Sequence, residues 1–481
     1  MKKQVGDSPI GISNGWNLRP MINRREFMRF GAATLATAPS VLASVVSSGG
    51  SGRHLRIGIL ADVHLKEPVA AQKLERALTA FRDGCVDGVL ICGDLADNGV
   101  VPQLEELAKV WESVFPESKG LDGAPVERLF HYGDHDNRGH WMAGEREGVR
   151  QRYGWTDEEL AEKACFLHSK EHWERIFGEP WSPIVHKCVK GYDFVLSHYT
   201  AKGGNSPLGL ANFLKGFKPD PTRPFFYSQH RVLRNTVCGP GVWGQDNGTA
   251  GRILAAYPNC CAFCGHSHQT AVREDSIWQG TFTAVQVPSL KYVTFESGHA
   301  NHPNGSAAEQ GMLLDVYDER MVIQRIDFAN RKELAPAWTI PLVEGARPFA
   351  REARRHVAPV PEFAAGARLA AKILSGKGGK TLALEFPVVS GRDGGVRAYD
   401  YVVTVDAICF GGDAQRVIRR FFSPQCHFAR EAEPETMKVR IALGGFAKWN
   451  SLKSKNWGAL HVSVRPREVF GGLGRPLEVD V

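Results

Sequence analysis

From residue 55 to residue 268 the chain repeats one pattern: an apolar run, a stop on Gly, Asp or His, then apolar positions at three- and four-residue spacing. LRIGILADVH (55–64) is apolar until Asp62 and His64. Helical spacing follows in VAAQKLERALTAFRDG, and DGVLICGDLAD (87–97) predicts a second buried strand ending in Gly93-Asp94. VPQLEELAKVWESVF predicts another helix, and VERLFHYGDHD then runs apolar into Gly133-Asp134-His135-Asp136. The alternation continues through DFVLSHYT (193–200), a helix around LGLANFLKGF, RPFFYSQH (223–230), a helix near TAGRILAAY, and NCCAFCGHSH (259–268). Strands alternating with helices predict an α/β fold with its sheet covered on both faces. Folds of this kind gather functional residues where strands end. GMLLDVYDERMVIQRIDF (311–328) reads as a hairpin closing this first domain, residues 53–330.

The pattern then changes. Residues 331–350 hold Pro336, Pro341 and Pro348 and read as a linker. In residues 351–481, TLALEFPVV, YDYVVTVDAICF, MKVRIALGGF and GALHVSVRPREVFG are short strand-like runs separated by Gly, Pro and Asp turns, which predicts an all-β sandwich domain. The final GALHVSVRPREVFGGLGRPLEV is similar to the last strands of fibronectin type III-like domains, which implies a module that packs, spaces or binds.

At 481 residues, 43% of them hydrophobic and 23% charged, the chain is long enough for two or three globular domains. The net charge of +7 owes much to residues 1–43, which carry six Lys or Arg against Asp7 and Glu26 and leave +3 for the rest. That balance argues against a nucleic-acid partner. In MINRREFMRFGAATLATAPSVLA (21–43) a basic stretch with Arg24 and Arg25 precedes a weakly apolar run and a small-residue cleavage site. It resembles a twin-arginine export signal, so residues 1–52 are expected to be signal and linker, and the protein to be periplasmic or extracellular. The run is too short and interrupted to span a bilayer, so no integral membrane span is expected.

Ten scattered cysteines do not make a disulfide scaffold. Cys261 and Cys264 form a CxxC without a second pair, and CCAFC reads as an apolar strand in which Cys is a small buried hydrophobe. The candidate chemistry lies instead at the strand ends. Asp and His are ligands for borderline divalent or trivalent cations, and five strand ends carry them.

The ordered set Asp62-x-His64, Gly93-Asp94-x-x-Asp97, Gly133-Asp134-His135-Asp136, a strand-end His and Gly265-His266-x-His268 resembles the calcineurin-like metallophosphoesterase superfamily over about residues 53–330. The resemblance implies that family's fold, a β-sandwich core flanked by helices (αββα). It implies two divalent or trivalent metal ions, with Fe, Zn and Mn the candidates. Asp62, His64 and His268 would hold one ion, Asp94 would bridge both, and Asp134, His266 and a further His would hold the other. The family's strand order selects His230 over His198 for that place. His135 would face the substrate as general acid or hydrogen-bond donor, and Arg138 could reach a phosphate. The implied activity is exported phosphoesterase, hydrolysing a phosphomonoester or phosphodiester by attack of a metal-bound hydroxide. The substrate would be a small molecule, a nucleotide-like one among the candidates because Trp141, Trp155, Trp173 and Trp181 in the 138–186 insert could stack on a base, although buried packing is the commoner role of Trp. Asp134 stands where the family has Asn. A carboxylate only accepts hydrogen bonds and adds negative charge, so tighter second-metal binding or a changed metal preference is expected, with weaker phosphate affinity. The alternative is a catalytically weakened metal-containing binding or surface-adhesion protein.

Overall fold

Strand β1 (Leu55–Leu60) is buried along its whole length because it is paired on both sides, parallel to β2 (Gly88–Cys92) and antiparallel to β10 (Gln310–Val316). In the computed structural model, the residues described are 52–138, 156, 169–200, 209–294, 307–357, 359–376, 379–390, 396–409, 414–423, 435–443 and 457–481. The twin-arginine stretch, Trp141 and Trp155 lie outside them. Helix α1 (Pro68–Asp83) returns the chain from β1 to β2, and α2 (Val101–Val114) leads from β2 to β3 (Glu127–His131). Each starts with proline in its first turn, where the missing N–H is no loss. A hairpin of β10 and β11 (Arg320–Asp327), extended by β12 (Lys332–Pro341), completes a six-stranded sheet in the order β12-β11-β10-β1-β2-β3.

A second six-stranded sheet runs β4-β5-β6-β7-β9-β8, from β4 (Ile184–Val189), β5 (Tyr192–Ser197), β6 (Phe225–Gln229), β7 (Cys260–Cys264), β8 (Ile277–Gln279) and β9 (Thr283–Gln286). The two sheets share one buried cluster, in which Ile57, Ile59, Leu90 and Leu314 join Phe194, Phe226 and Phe263. On the outer face of the first sheet, Leu74, Phe81, Leu104 and Trp111 of α1 and α2 cluster with Val89, Ile91 and Phe130. The short helix α3 (Trp173–Phe177) adds Trp173 and Phe177 to the same cluster. On the outer face of the second sheet, α4 (Leu210–Gly216) and α5 (Thr249–Leu254) bring Leu214 and Leu254 to Val195, Tyr227 and Ala262. The layers are helix, sheet, sheet, helix. Each sheet therefore has helices on one face and the other sheet on its second face, unlike a single sheet covered twice by helices.

Residues 332–341 correct the linker reading. They pair along β11 from Arg320↔Pro341 to Asp327↔Lys332 and bury Trp338 and Ile340. β12 is an edge strand, and its register shifts around Arg325, whose side chain donates to the Pro336 carbonyl. Edges and bulges are where a strand tolerates proline.

The C-terminal region is built of two smaller sheets. One is β13 (Ala370–Gly376), β14 (Gly379–Pro387) and β17 (Thr436–Ala442). The other is ordered β16-β15-β18-β19, from β15 (Asp400–Cys409), β16 (Ala414–Phe422), β18 (Trp457–Arg467) and β19 (Leu477–Asp480). Alternate residues Tyr401, Val403 and Val405 share a cluster with Leu382, Leu384 and Val462. Arg273, just past β7, reaches this region: its Nη1 donates to Tyr399 Oη at 2.5 Å while Nε and Nη2 pair with Asp275 at 2.8 Å each. Helix α6 (Arg351–Val357) places Arg354 over the ring of Phe470, 4.5 Å from its centroid. Among the described residues no helix is long and apolar enough to cross a membrane.

Candidate metal centre

The site forms where the ends of β1, β2, β3, β6 and β7 meet. The turns after β1 and β2 run side by side, with Asp62 N–H donating to Gly93 O at 3.1 Å and His64 N–H to Asp94 O at 2.9 Å. From the other sheet, Gly265 N–H donates to His230 O at 2.9 Å, which ties the end of β7 to that of β6. Asp62 (φ 53°), His64 (φ 49°), Asp94 (φ 53°), His266 (φ 70°) and His268 (φ 51°) all adopt left-handed backbone. Such conformations cost roughly 1–3 kcal/mol each and persist where surrounding structure enforces them, commonly at functional sites. Two glycines make the close approach possible. Gly93 takes φ +80° at the turn, and at Gly133 a Cβ would lie 2.1 Å from Asp94 Oδ1.

The seven residues expected to hold metal come together as two groups sharing Asp94. Asp62, His64, Asp94 and His268 form one, and Asp94, Asp134, His230 and His266 the other, with the ligand atoms of each within 4.8 Å of one another. In the first, His268 Nε2 is 3.1 Å from Asp62 Oδ1 and 3.2 Å from His64 Nε2. In the second, His230 Nε2 is 3.2 Å from Asp94 Oδ2 and from Asp134 Oδ1, and His266 Nδ1 is 3.0 Å from Asp134 Oδ1. All but Asp134 are buried; the Asp134 side chain is 17% exposed.

The donor set fits a pair of cations. His230 Nδ1 is 2.8 Å from Cys92 O, and His268 Nδ1 is 3.1 Å from Tyr292 O. A carbonyl only accepts, so those nitrogens carry the protons and the Nε2 lone pairs face inward. His64 Nδ1 likewise sits 3.3 Å from Asp97 Oδ1. Inward-facing imidazole nitrogens 3.2 Å apart, as in the His64–His268 and His230–His266 pairs, repel unless positive charge lies between them. Outer partners that orient ligand imidazoles in this way are usual in metal sites. The fields agree: burial alone would lower the His230 imidazole, yet Asp94, Asp134 and Asp62 raise it well above the usual histidine range. Burial, by contrast, takes His64 down to about 4 despite Asp97 and Asp94. Burial opposes ionisation of Asp134 and Asp94, but the facing histidines hold both carboxyls well below the ordinary range.

His135 and Arg138 lie beside the two groups. His135 Nδ1 donates to Asp97 O at 2.9 Å, and Arg138 Nη2 donates to His135 Nε2 at 2.5 Å. His135 also joins a third group with His64 and Asp97. His198 is elsewhere, buried among Tyr132, Trp173 and Trp181 at ring separations of 5.4, 5.0 and 5.2 Å, with Nδ1 accepting from Tyr132 N–H. Trp173 is thus a core residue, with Trp181 packed against the same cluster. Cys261 faces the inter-sheet cluster and Cys264 the α4–α5 side, so the CxxC pair points to opposite faces of β7.

Four participants were not assigned from sequence. Asp136 accepts from Leu95, Ala96 and Gly133 N–H at 3.1, 2.8 and 2.7 Å, binding the turn after β2 to that after β3. Burial and the Asp94 charge push its carboxyl up to about 8 against those bonds. Asp97 orients His64 and is held by Lys291 Nζ at 3.0 Å; burial opposes its ionisation, but His64 and Lys291 keep it well below the usual carboxyl range. Tyr292 holds His268. Asp97 and Asp136 stand inside the quoted motifs, whereas Lys291 and Tyr292 follow β9 in a segment with no motif.

A helix-sheet-sheet-helix domain with two carboxylate–imidazole groups sharing one aspartate defines the class, an α/β metal-site domain. More particularly, residues 55–270 match the family model of the calcineurin-like phosphoesterases, so the chain carries a calcineurin-like phosphoesterase domain there. A comparison with curated proteins returns no match. Among solved structures, the chain is similar to GAP50, the anchor in the inner membrane complex of Plasmodium (12% identity, 61% of this chain and 90% of that chain, TM-score 0.36). It is also similar to Vacuolar Protein Sorting 29 from Cryptosporidium parvum (9% identity, 60% and 98%, TM-score 0.28). A third likeness is to a conserved uncharacterized protein, a predicted phosphoesterase, from Streptococcus pneumoniae TIGR4 (11% identity, 60% and 97%, TM-score 0.26).

Proposed function

We propose that the protein is an exported, binuclear-metal-dependent phosphoesterase acting on a small phosphomonoester or phosphodiester. The observation that carries the reading is the pair of ligand groups sharing Asp94, within a calcineurin-like phosphoesterase domain. When bound, the ions would supply Lewis-acid stabilisation of a phosphoryl group and a lowered pKa for the attacking water. Asp62, His64 and His268 would hold one, Asp134, His230 and His266 the other, with Asp94 common to both.

The remaining chemistry belongs to His135 and Arg138. A guanidinium has no acceptor, so with Arg138 at its Nε2 the neutral His135 carries its proton on Nδ1, toward Asp97 O. As general acid His135 must gain a proton at Nε2, which requires Arg138 to turn away. A phosphoryl oxygen between the two groups satisfies both: Arg138 donates to it, and the His135 Nε2 proton is left facing the leaving oxygen. Among the described residues the C-terminal sheets add no group to this cluster, and they are assigned, on the fibronectin type III-like resemblance, to packing or spacing. Export rests on the Arg24-Arg25 stretch, and a reporter fused to residues 1–50 that stays unprocessed in the cytoplasm would remove that part.

The test is hydrolysis of p-nitrophenyl phosphate and bis-p-nitrophenyl phosphate by full-length protein loaded with Mn or Zn. Turnover of at least one, abolished by Asp94→Ala and reduced about 100- to 10,000-fold by His135→Ala, is expected. Fully metal-loaded protein with no turnover of either ester would instead favour the binding or adhesion reading.

A further inference from the structure

We propose that Arg231, together with Tyr199, forms a second anion-binding arm of the centre on its Asp134 side, complementing Arg138 on the His135 side. This rests on the phosphoester reading and deepens it by naming a residue that selects the anionic group.

Arg231 directly follows His230 at the end of β6, and its backbone is pinned by Gln229 Nε2, which donates to Arg231 O at 2.8 Å. The guanidinium lies over the Tyr199 ring, 5.5 Å from the centroid. Its Nε is buried without a hydrogen-bond partner. An arginine whose role is packing normally satisfies its buried nitrogens, so an open donor on the residue next to His230 signals a missing acceptor. Tyr199 is itself fixed to the site: its N–H donates to Tyr132 O at 3.1 Å, and its carbonyl accepts from Asn137 Nδ2 at 2.6 Å. Asn137 immediately follows Asp134-His135-Asp136, so the arm is fastened to the loop that presents Asp134. Burial first, then Asp134, raises the Tyr199 phenol while Arg231 and His230 lower it, so the ring lies in the fields of both charges.

Charge explains why the arm belongs here. Asp134 is the member of the two ligand groups open to solvent. A carboxylate at that position repels an incoming phosphate, and a guanidinium that reaches the same anion offsets the repulsion. Arg231 and Asp134 should therefore be energetically coupled toward an anion, which a purely structural arginine–tyrosine stack does not require.

The experiment is calorimetric titration of metal-loaded, full-length protein with inorganic phosphate. Arg231→Gln should weaken phosphate binding about 10- to 100-fold, with Arg231→Lys intermediate and metal content per chain unchanged in both. The loss on Arg231→Gln should shrink in an Asp134→Asn background. Phosphate binding by Arg231→Gln equal to wild type overturns the inference alone. Wild-type protein that holds its metal but ignores phosphate overturns the phosphoester reading and this inference with it.

Discussion

Replacing Gly133 by alanine tests whether close approach of the strand-end turns builds the centre. Gly133 is not in left-handed backbone, so alanine brings no conformational penalty there. Its Cβ would fall 2.1 Å from Asp94 Oδ1, 2.4 Å from Asp94 N and 2.8 Å from His230 Cδ2. Ordinary carbon contacts need about 3.5 Å, so the shared aspartate and its neighbouring imidazole must be displaced by roughly 1 Å. Metal-ligand distances tolerate about 0.2 Å. Overpacking costs roughly 1–3 kcal/mol, and the displacement reaches the residue common to both groups and a member of the second. Gly251→Ala is the control: it lies within α5, and nothing stands within 4 Å of its Cβ. There the same change should stabilise by about 0.5–1 kcal/mol. Thermal unfolding with elemental analysis reads both effects. Gly133→Ala should melt lower and lose metal, and Gly251→Ala should melt slightly higher with metal intact. If Gly133→Ala keeps wild-type melting and metal content, the close-approach reasoning is refuted.

His230→Ala should cost the protein one ion, while His198→Ala should keep both and lose roughly 1–3 kcal/mol of stability, because His198 fills an aromatic pocket; metal content of the two variants decides, and the reverse pattern would count against it. Chelation should lower the melting temperature, since an ion at 100 times its dissociation constant stabilises by about 2.7 kcal/mol; a transition unmoved by EDTA and by re-added metal would contradict this. Burial, with Asp275 nearby, raises the Glu468 carboxyl above its ordinary 4.5 despite backbone N–H bonds from Phe470 and Gly472. The native state thus binds that proton more tightly than the unfolded chain, so this contribution is complete below pH 4.5 and is lost as pH rises through the native value. Glu468→Gln should flatten that part of the stability profile, and an unchanged profile would exclude Glu468 as its source.

Much of the site was legible because its chemistry sits at the ends of apolar runs. Asp62, Asp94, Asp134 and His266 each follow a buried strand within three residues, and periodicity finds such strands. Choosing His230 over His198 was not a matter of local pattern, since both end apolar strands; the strand order that the family resemblance implies selected it, and β6 does pair between β5 and β7. The split into two sheets was hidden for a related reason. A strand facing a helix layer and one facing a second sheet are equally apolar, and β8 and β9 are only three and four residues long. β12 was read as linker because of its prolines, and an edge position cannot be read from one strand alone. In the C-terminal region β16, AQRVIRRFF, escaped notice because arginines interrupt its apolar positions. Lys291 and Tyr292 had no signal, since a backbone carbonyl that orients His268 is available at any residue.

Anomalous diffraction from crystals of the metal-loaded full-length protein tests the shared-aspartate centre most directly. Two peaks about 3.5–4 Å apart are expected, one against Asp62, His64 and His268 and one against Asp134, His230 and His266, with Asp94 touching both. A single peak, or Asp94 in contact with neither ion, would contradict it.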